Sequence, residues 1–299
     1  MAILQFYLGE GGRKAVLEGQ NRITTRVASA VKAAGWEVRL CPSEERPLIP
    51  GRAGYHLVSN EEVPSANCMT LRRVGWDPFW RIERTNDRWN WQIAGQDFGP
   101  SGADTSRSAQ FLGYWGKQLF GKAAATSGGG VFVPLQGKLT QQRHFQAASP
   151  LQMLEAVAKR WPDRAIQVTL HPREDYSATE LASLDQMIAD LPNVSLARVG
   201  SDALLLACDL VVTQNSTMAL RGYVAQKPAM IWARIDFHHI AASVPRDGIE
   251  AAFAAVEAGP LPDFGSYLLW YFRENCLRSW DKDVEAAIRD RLRTLDWPL

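Results

Sequence analysis

The sequence predicts an α/β protein of two lobes, each built on a parallel sheet with helices on its faces, followed by a helical tail. Three observations lead there. From Val131 to Trp232 short β-rich runs alternate with stretches of helical spacing, and the connections are short. The first part of the chain shows the same alternation less regularly. Between the two lies Ala123–Gly130, a small and glycine-rich run with no side chains to pack, which reads as a linker. It divides the chain into an N-terminal lobe, residues 1–125, and a C-terminal lobe with the tail, residues 126–299.

In order, Ile3–Leu8 reads as a strand. Asn21–Ala34 reads as a helix stopped by Gly35, a residue suited to the left-handed C-terminal position. Trp36–Leu40 and Tyr55–Val58 read as strands. Val63–Gly102 breaks the pattern and reads as a tryptophan-rich, loop-heavy insertion, and Ser106–Phe120 is helical again. In the second lobe Val131–Leu135, Ala165–Leu170, Val194–Leu196, Leu210–Thr213 and Ala229–Trp232 are strands. Pro150–Arg160, Ala178–Leu191, Asp202–Ala207 and Thr217–Ala225 are the helices between them, marked by periodic apolar residues such as Leu181, Leu184, Met187 and Ile188. In the tail, Val284, Ile288, Leu292 and Leu295 keep helical spacing from Asp281 to Leu295.

Composition excludes several classes. The 299 residues are 46% hydrophobic and 22% charged, values of a folded globular chain. A net charge of +1 and a pI of about 7.7 lack the basic excess of a dedicated nucleic-acid binder. Cys41, Cys68, Cys208 and Cys276 are scattered, without the paired spacing of a zinc ribbon or a redox motif, and suit a reducing compartment. The apolar start has no basic stretch before it and reads as a first strand rather than a signal peptide. No apolar run reaches the roughly 18 residues that span a bilayer. The expected location is therefore the cytoplasm. Of the 11 tryptophans, Trp76, Trp80, Trp89 and Trp91 crowd together. They read first as an aromatic mini-core and second as stacking faces for a sugar.

Functional residues of an open parallel sheet lie just past the C-terminal ends of its strands. Three polar clusters occupy such positions in the second lobe. Gln136 to Lys138 follow the first strand. His171, Pro172, Arg173 and Glu174 follow the second, where Pro172 restricts His171 to extended backbone and Arg173 adds a fixed charge. Gln214, Asn215, Ser216 and Thr217 follow the fourth strand and open a helix. Asn215 or Ser216 can cap it, and its free N–H groups with the two hydroxyls form an anion site; plain capping is the simpler reading.

In this order, Pro134-Leu-Gln136, His171-Pro172, Asn215-Ser-Thr217, Met218-Ala-Leu220 and Lys227-Pro228 resemble the capsule polysaccharide biosynthesis protein family, which includes β-Kdo transferases. The resemblance covers roughly residues 129 to 242. It implies the GT-B glycosyltransferase fold of two Rossmann-like lobes, with CMP-Kdo as donor, a saccharide or glycolipid as acceptor, and no cofactor or obligatory metal. A His-Pro pair and a Ser-Ser/Thr pair also recur in bacterial sialyltransferases, where they hold the CMP moiety. Carried over, His171, Pro172, Ser216 and Thr217 would hold the phosphate, and Gln136 and Asn215 would position the donor; Lys138, Arg173 and His238 are read into the donor site from their places after neighbouring strands. Thr169-Leu170 stands where relatives commonly carry a Lys before His-Pro, so Arg173 is taken to supply that charge.

Glycosyl transfer also needs an acceptor hydroxyl to lose a proton. Glu10, Asp77, Asp87 and Asp97 are the candidate acids. Glu10 is best placed, after the first strand and before Gly11-Gly12, although a solvated loop acid is the plainer reading. Trp76, Trp80 and Asp97 are candidates for holding the acceptor. His238 and His239, read as strand neighbours, should point to opposite faces and so should not chelate one ion. Asp281-Lys282-Asp283 reads as a helix start rather than a metal motif. Arg143 and His144 line either the donor site or a surface loop. The aromatic stretch Tyr267–Trp280 is expected to pack back on the lobes, with peripheral membrane association, at the inner face of the cytoplasmic membrane, as the alternative.

Overall fold

The structure, a computed structural model, describes residues 2–20, 22–99 and 105–299. It divides into two compact units, Met1–Gln96 with Tyr271–Leu299, and Asp97–Trp270. The division differs from the one expected near residue 125, and the tail belongs to the first unit rather than the second.

In the first unit β1 (Ile3–Leu8) lies parallel to both β2 (Glu37–Pro42) and β3 (Tyr55–Ser59). Between β1 and β2 come two helices, α1 (Glu10–Leu17) and α2 (Ile23–Ala33). The residues that open them are Glu10, read from the sequence as a loop acid, and Ile23. Asn21, the expected start of the second helix, lies outside the described residues, as does Gly102, the expected end of the insertion. Within that insertion the chain forms two further strands, β4 (Cys68–Arg73), parallel to β3, and β5 (Phe79–Glu83), antiparallel to β4. Alternate large side chains fill the core: Leu4, Phe6, Leu57, Met69, Leu71 and Ile82 are fully buried.

The second unit begins with α3 (Thr105–Phe120), followed by the glycine run. That run is not a linker. The N–H groups of Gly128 and Gly130 donate to the Asp209 carboxylate at 2.7 and 3.2 Å. The Thr126 N–H donates to the Leu206 carbonyl at 2.9 Å. A Cβ on Gly129 would sit 2.1 Å from the Ala207 carbonyl oxygen, so glycine is there for close approach rather than for flexibility.

From the glycines the chain enters a six-stranded sheet: β6 (Val131–Pro134), β7 (Ile166–Thr169), β8 (Val194–Leu196), β9 (Leu210–Thr213), β10 (Ala229–Ile231) and β11 (Ala242–Ser243). All neighbours pair parallel, in the spatial order β11-β10-β9-β6-β7-β8. The crossovers include α4 (Pro150–Arg160), α5 (Ala178–Asp190), α6 (Ser201–Ala207) and α7 (Met218–Val224). α4 and α5 start with capping boxes, Ser149 with Gln152 and Ser177 with Glu180. Val131, Val133, Leu154, Val157, Ile166, Val168 and Val212 form the core beneath. After β11 come α8 (Val244–Asp247), α9 (Ile249–Ala258) and α10 (Phe264–Leu268).

The tail completes the first unit. β12 (Leu277–Arg278) pairs antiparallel with β5, giving the order β12-β5-β4-β3-β1-β2. α11 (Val284–Thr294) then packs Val284, Ile288 and Leu292 into the core of that sheet, and Trp297 joins Trp36 and Tyr55 at ring separations of 6.0 and 5.1 Å. Of the aromatic stretch considered for a membrane surface, Tyr267, Leu268, Tyr271 and Phe272 are buried, whereas Trp280 is exposed. Among the described residues no helix is long and apolar enough to cross a membrane. The two-sheet α/β expectation holds in both units.

Candidate functional site

In the second sheet the chain leaves β6 toward β7 on one side and returns to β9 on the other. Ligands of open α/β sheets bind at such a reversal, outside the carboxyl ends of the strands. The loops after β6 and β9 meet there. The Asn215 N–H donates to Gln136 Oε1 at 3.3 Å, and the Thr213 hydroxyl donates to the Pro134 carbonyl at 3.4 Å. The loop after β10 is tied to the same pair: the Ala233 N–H donates to the Gln214 carbonyl at 3.1 Å, and the Arg234 N–H to the Phe145 carbonyl at 2.8 Å. Buried Gln214 also donates to the Ala148 carbonyl at 3.1 Å. Gln136 and Asn215, separate in sequence, thus share one hydrogen bond at the reversal point.

The loop after β7 lies alongside, because the Leu135 N–H donates to the Thr169 carbonyl at 2.9 Å. His171, Pro172 and Arg173 are all exposed. The His171 N–H donates to the Tyr176 hydroxyl at 2.9 Å, and its Nδ1 accepts the Arg173 N–H at 3.2 Å. An imidazole that accepts at Nδ1 carries its proton on Nε2 when neutral. Burial pushes the Tyr176 phenol up, against the effect of the His171 N–H.

Glu174 closes this loop. A Cβ on Gly137 would come 2.2 Å from its carboxylate, so that carboxylate rests directly on the glycine. Burial pulls the Arg143 guanidinium down, with Glu174 opposing, and Arg143 stacks on Phe145 at 4.9 Å. Lys138 is exposed and adopts a left-handed turn (φ 61°), after which the Leu139 N–H donates to Glu180 at 2.6 Å. The N–H and hydroxyl of Ser177 hold the Glu180 carboxyl below the usual range. The sequence reading places Glu174 in the strand-end cluster without a role and does not name Tyr176; Gly137, before Lys138, is the signal for the close approach of Glu174.

At α7 the hydroxyl of Ser216 accepts the Met218 N–H at 3.2 Å, so Ser216 performs the capping. Thr217 makes no side-chain cap bond. His238 and His239 depart from expectation. They lie in an irregular turn after β10, not in a strand, and their rings stack 4.4 Å apart at 17° instead of pointing oppositely. Arg246 fixes the turn by donating to the carbonyls of His238, His239 and Ala241 at 3.1, 3.4 and 3.0 Å.

The remaining candidates lie apart. Glu10 is exposed at the start of α1, in the first unit, and lines a concavity of about 800 Å³ with Arg13, Lys14, Lys32 and Arg39. Trp76 packs on Phe272 and Phe79 at 4.7 and 6.3 Å, while Trp91 is buried under Arg88 at 5.0 Å, so this part of the cluster is an aromatic mini-core. Trp80 is half-buried and donates to Asp77 at 3.1 Å. Asp97 is exposed and belongs to the second unit, not to the lobe of Trp76 and Trp80 where the sequence reading placed it. Asp281 is held by Arg278 and Arg273 at 2.7 and 3.1 Å.

Two Rossmann-like units of this kind define the GT-B type of fold, the fold shared with glycosyltransferases. No protein-family model and no curated protein matches the chain. Among solved structures, the β-Kdo 2,7 transferase of KpsC from Thermosulfurimonas dismutans is similar at a TM-score of 0.51 and 11% identity, over 98% of this chain and 99% of that one. The β-Kdo 2,4 transferase of the same KpsC scores 0.45 at 11% identity, over 78% and 80%. A UDP-GlcNAc 2-epimerase from Neisseria meningitidis scores 0.28 at 10% identity, over 98% and 100%. The likeness is one of fold, and it rests on the first of these structures.

Proposed function

We propose that the protein is a glycosyltransferase that moves a sugar acid from a CMP-activated donor to a saccharide or lipid-linked acceptor in the assembly of a surface polysaccharide. The observation that carries the reading is the meeting of Gln136 and Asn215 at the chain reversal of the second sheet, beside the His171 loop. A nucleotide phosphate at that point would meet the Nε2–H of His171, the hydroxyls of Ser216 and Thr217, and the charges of Lys138 and Arg173. Pro172 keeps the His171 backbone extended, and His238 lies on the turn after the neighbouring strand. The sequence resemblance supports this donor class, and the fold supports glycosyl transfer in general.

In this mechanism the bond from the anomeric carbon to the phosphate breaks, and a bond to the acceptor oxygen forms. His171 stabilises the negative charge that grows on the departing phosphate. The acceptor hydroxyl gives its proton to a general base, the role assigned to Glu10, and Trp80 is assigned to the acceptor side. No step is assigned to a cofactor or a metal ion. Action on a lipid-linked acceptor would place the protein at the inner face of the cytoplasmic membrane.

Thermal unfolding with CMP, UMP, UDP and GDP, on wild type and on His171→Ala, tests the donor. A ligand at about 100 times its Kd stabilises by about 2.7 kcal/mol. CMP alone is expected to raise Tm, and His171→Ala to lose most of the rise. A response to UDP or GDP would replace the donor, and no response to any nucleotide would favour a non-catalytic binding protein of the same fold.

A further inference from the structure

Topology brings separate pieces of the first unit to one edge of its sheet. Gly12 follows β1 at the carboxyl end of the parallel strands. β5 runs against β4, so its first residues, and Asp77 in the turn before them, lie at that same end. β12 runs against β5, so Ser279 and Trp280, just beyond it, return there as well. With Arg22 and Thr24 at the start of α2, they line one concavity of about 480 Å³.

The chemistry of this lining is specific. Trp280 is 58% exposed at the rim of the concavity, an unusual position for so large an apolar surface. Trp80 supplies a second indole, oriented by its hydrogen bond to Asp77. Asp77 is itself held by Arg73 at 3.2 Å and keeps acceptor capacity for hydroxyl groups. Arg22 is exposed and, among the described residues, has no carboxylate partner. Indole faces suit the C–H face of a pyranose ring, a fixed carboxylate suits its hydroxyls, and an unpaired guanidinium suits a planar carboxylate. Trp76, expected to act beside Trp80, does not line the concavity.

We propose that this concavity is a binding site for a carboxylate-bearing pyranose, with Trp80 and Trp280 stacking on the ring, Asp77 accepting from its hydroxyls and Arg22 pairing with its carboxylate. Its use as the acceptor subsite rests on the transferase reading, whereas the binding itself does not.

The test uses the full chain without nucleotide. Methyl glycosides of glucuronic acid, galacturonic acid and Kdo, with neutral methyl glucoside and methyl galactoside, are titrated by calorimetry and saturation-transfer NMR. At least one acid should bind, at least tenfold more tightly than the neutral sugars. Trp280→Ala, a change at an exposed position, should weaken it at least tenfold. Arg22→Gln should remove the preference for the acid while leaving neutral-sugar binding unchanged. Failure of every acid to bind, an unaffected Trp280→Ala protein, or a preference that survives Arg22→Gln would overturn the assignment. The CMP response is read separately, so either result stands if the other fails.

Discussion

His56 is 1% exposed, its Nδ1 lies 3.3 Å from the Tyr7 hydroxyl, and its Nε2 lies 3.2 Å from the Arg52 carbonyl. Burial holds its pKa below the ordinary 6.5, with the nearby Arg52 charge acting in the same direction and the Arg52 carbonyl against it. The unfolded chain therefore binds this proton before the folded one does. The stability it gives is complete above pH 6.5 and is lost as pH falls toward the lower folded value, at up to about 1.4 kcal/mol per pH unit. Urea unfolding of His56→Gln between pH 7.5 and 5 should show a shallower pH slope than wild type; equal slopes would remove His56 as the cause. His56 attracts no notice in the sequence, since Tyr7 reaches it only through the pairing of β1 with β3 and the Arg52 carbonyl only through the bend before β3. The meeting of Gln136 and Asn215 was legible because strand ends are local features and an open sheet places neighbouring ones together. Glu174 was not, because its role depends on how closely a carboxylate can approach Gly137.

At the scale of elements, the regular βα alternation of the second unit was readable, and the strands β4 and β5 were not. β5 carries Arg81 and Glu83, which look like loop residues but are buried as an ion pair of 2.7 Å, with Arg291 also 2.7 Å from Glu83. The two charges compensate each other locally, but Arg291 of α11 and the Asn275 carbonyl complete their partners, and no local pattern can reveal those. The glycine run was misread for a related reason: glycine signals flexibility and close packing alike. Gly130 has φ 75°, and a Cβ there would meet the Ala165 carbonyl oxygen at 2.2 Å. Gly130→Ala should therefore cost about 2–4 kcal/mol, from left-handed backbone and displaced β-sheet carbonyl together. A Tm unchanged within a degree would restore the run to a simple linker.

At the scale of the molecule, the first unit is made from both ends of the chain. Val284, Ile288 and Leu292 are at most 1% exposed in its core. Each such side chain contributes about 1.5–3 kcal/mol by burial, against a total domain stability of about 5–15 kcal/mol. A chain ending at Trp270 should accordingly leave residues 1–96 open to limited proteolysis while residues 97–270 survive as a fragment. Equal resistance of both segments would show that the tail is dispensable to the first unit.

The same arrangement dictates an order of events during synthesis. The sheet begun by β1 lacks its edge strand β12 and its covering helix α11 until the whole second unit has been translated. Domains fold as their sequence becomes complete, so the second unit can close first while the first waits with an exposed apolar face. On the ribosome the protein would thus complete its second unit before the unit that opened the chain.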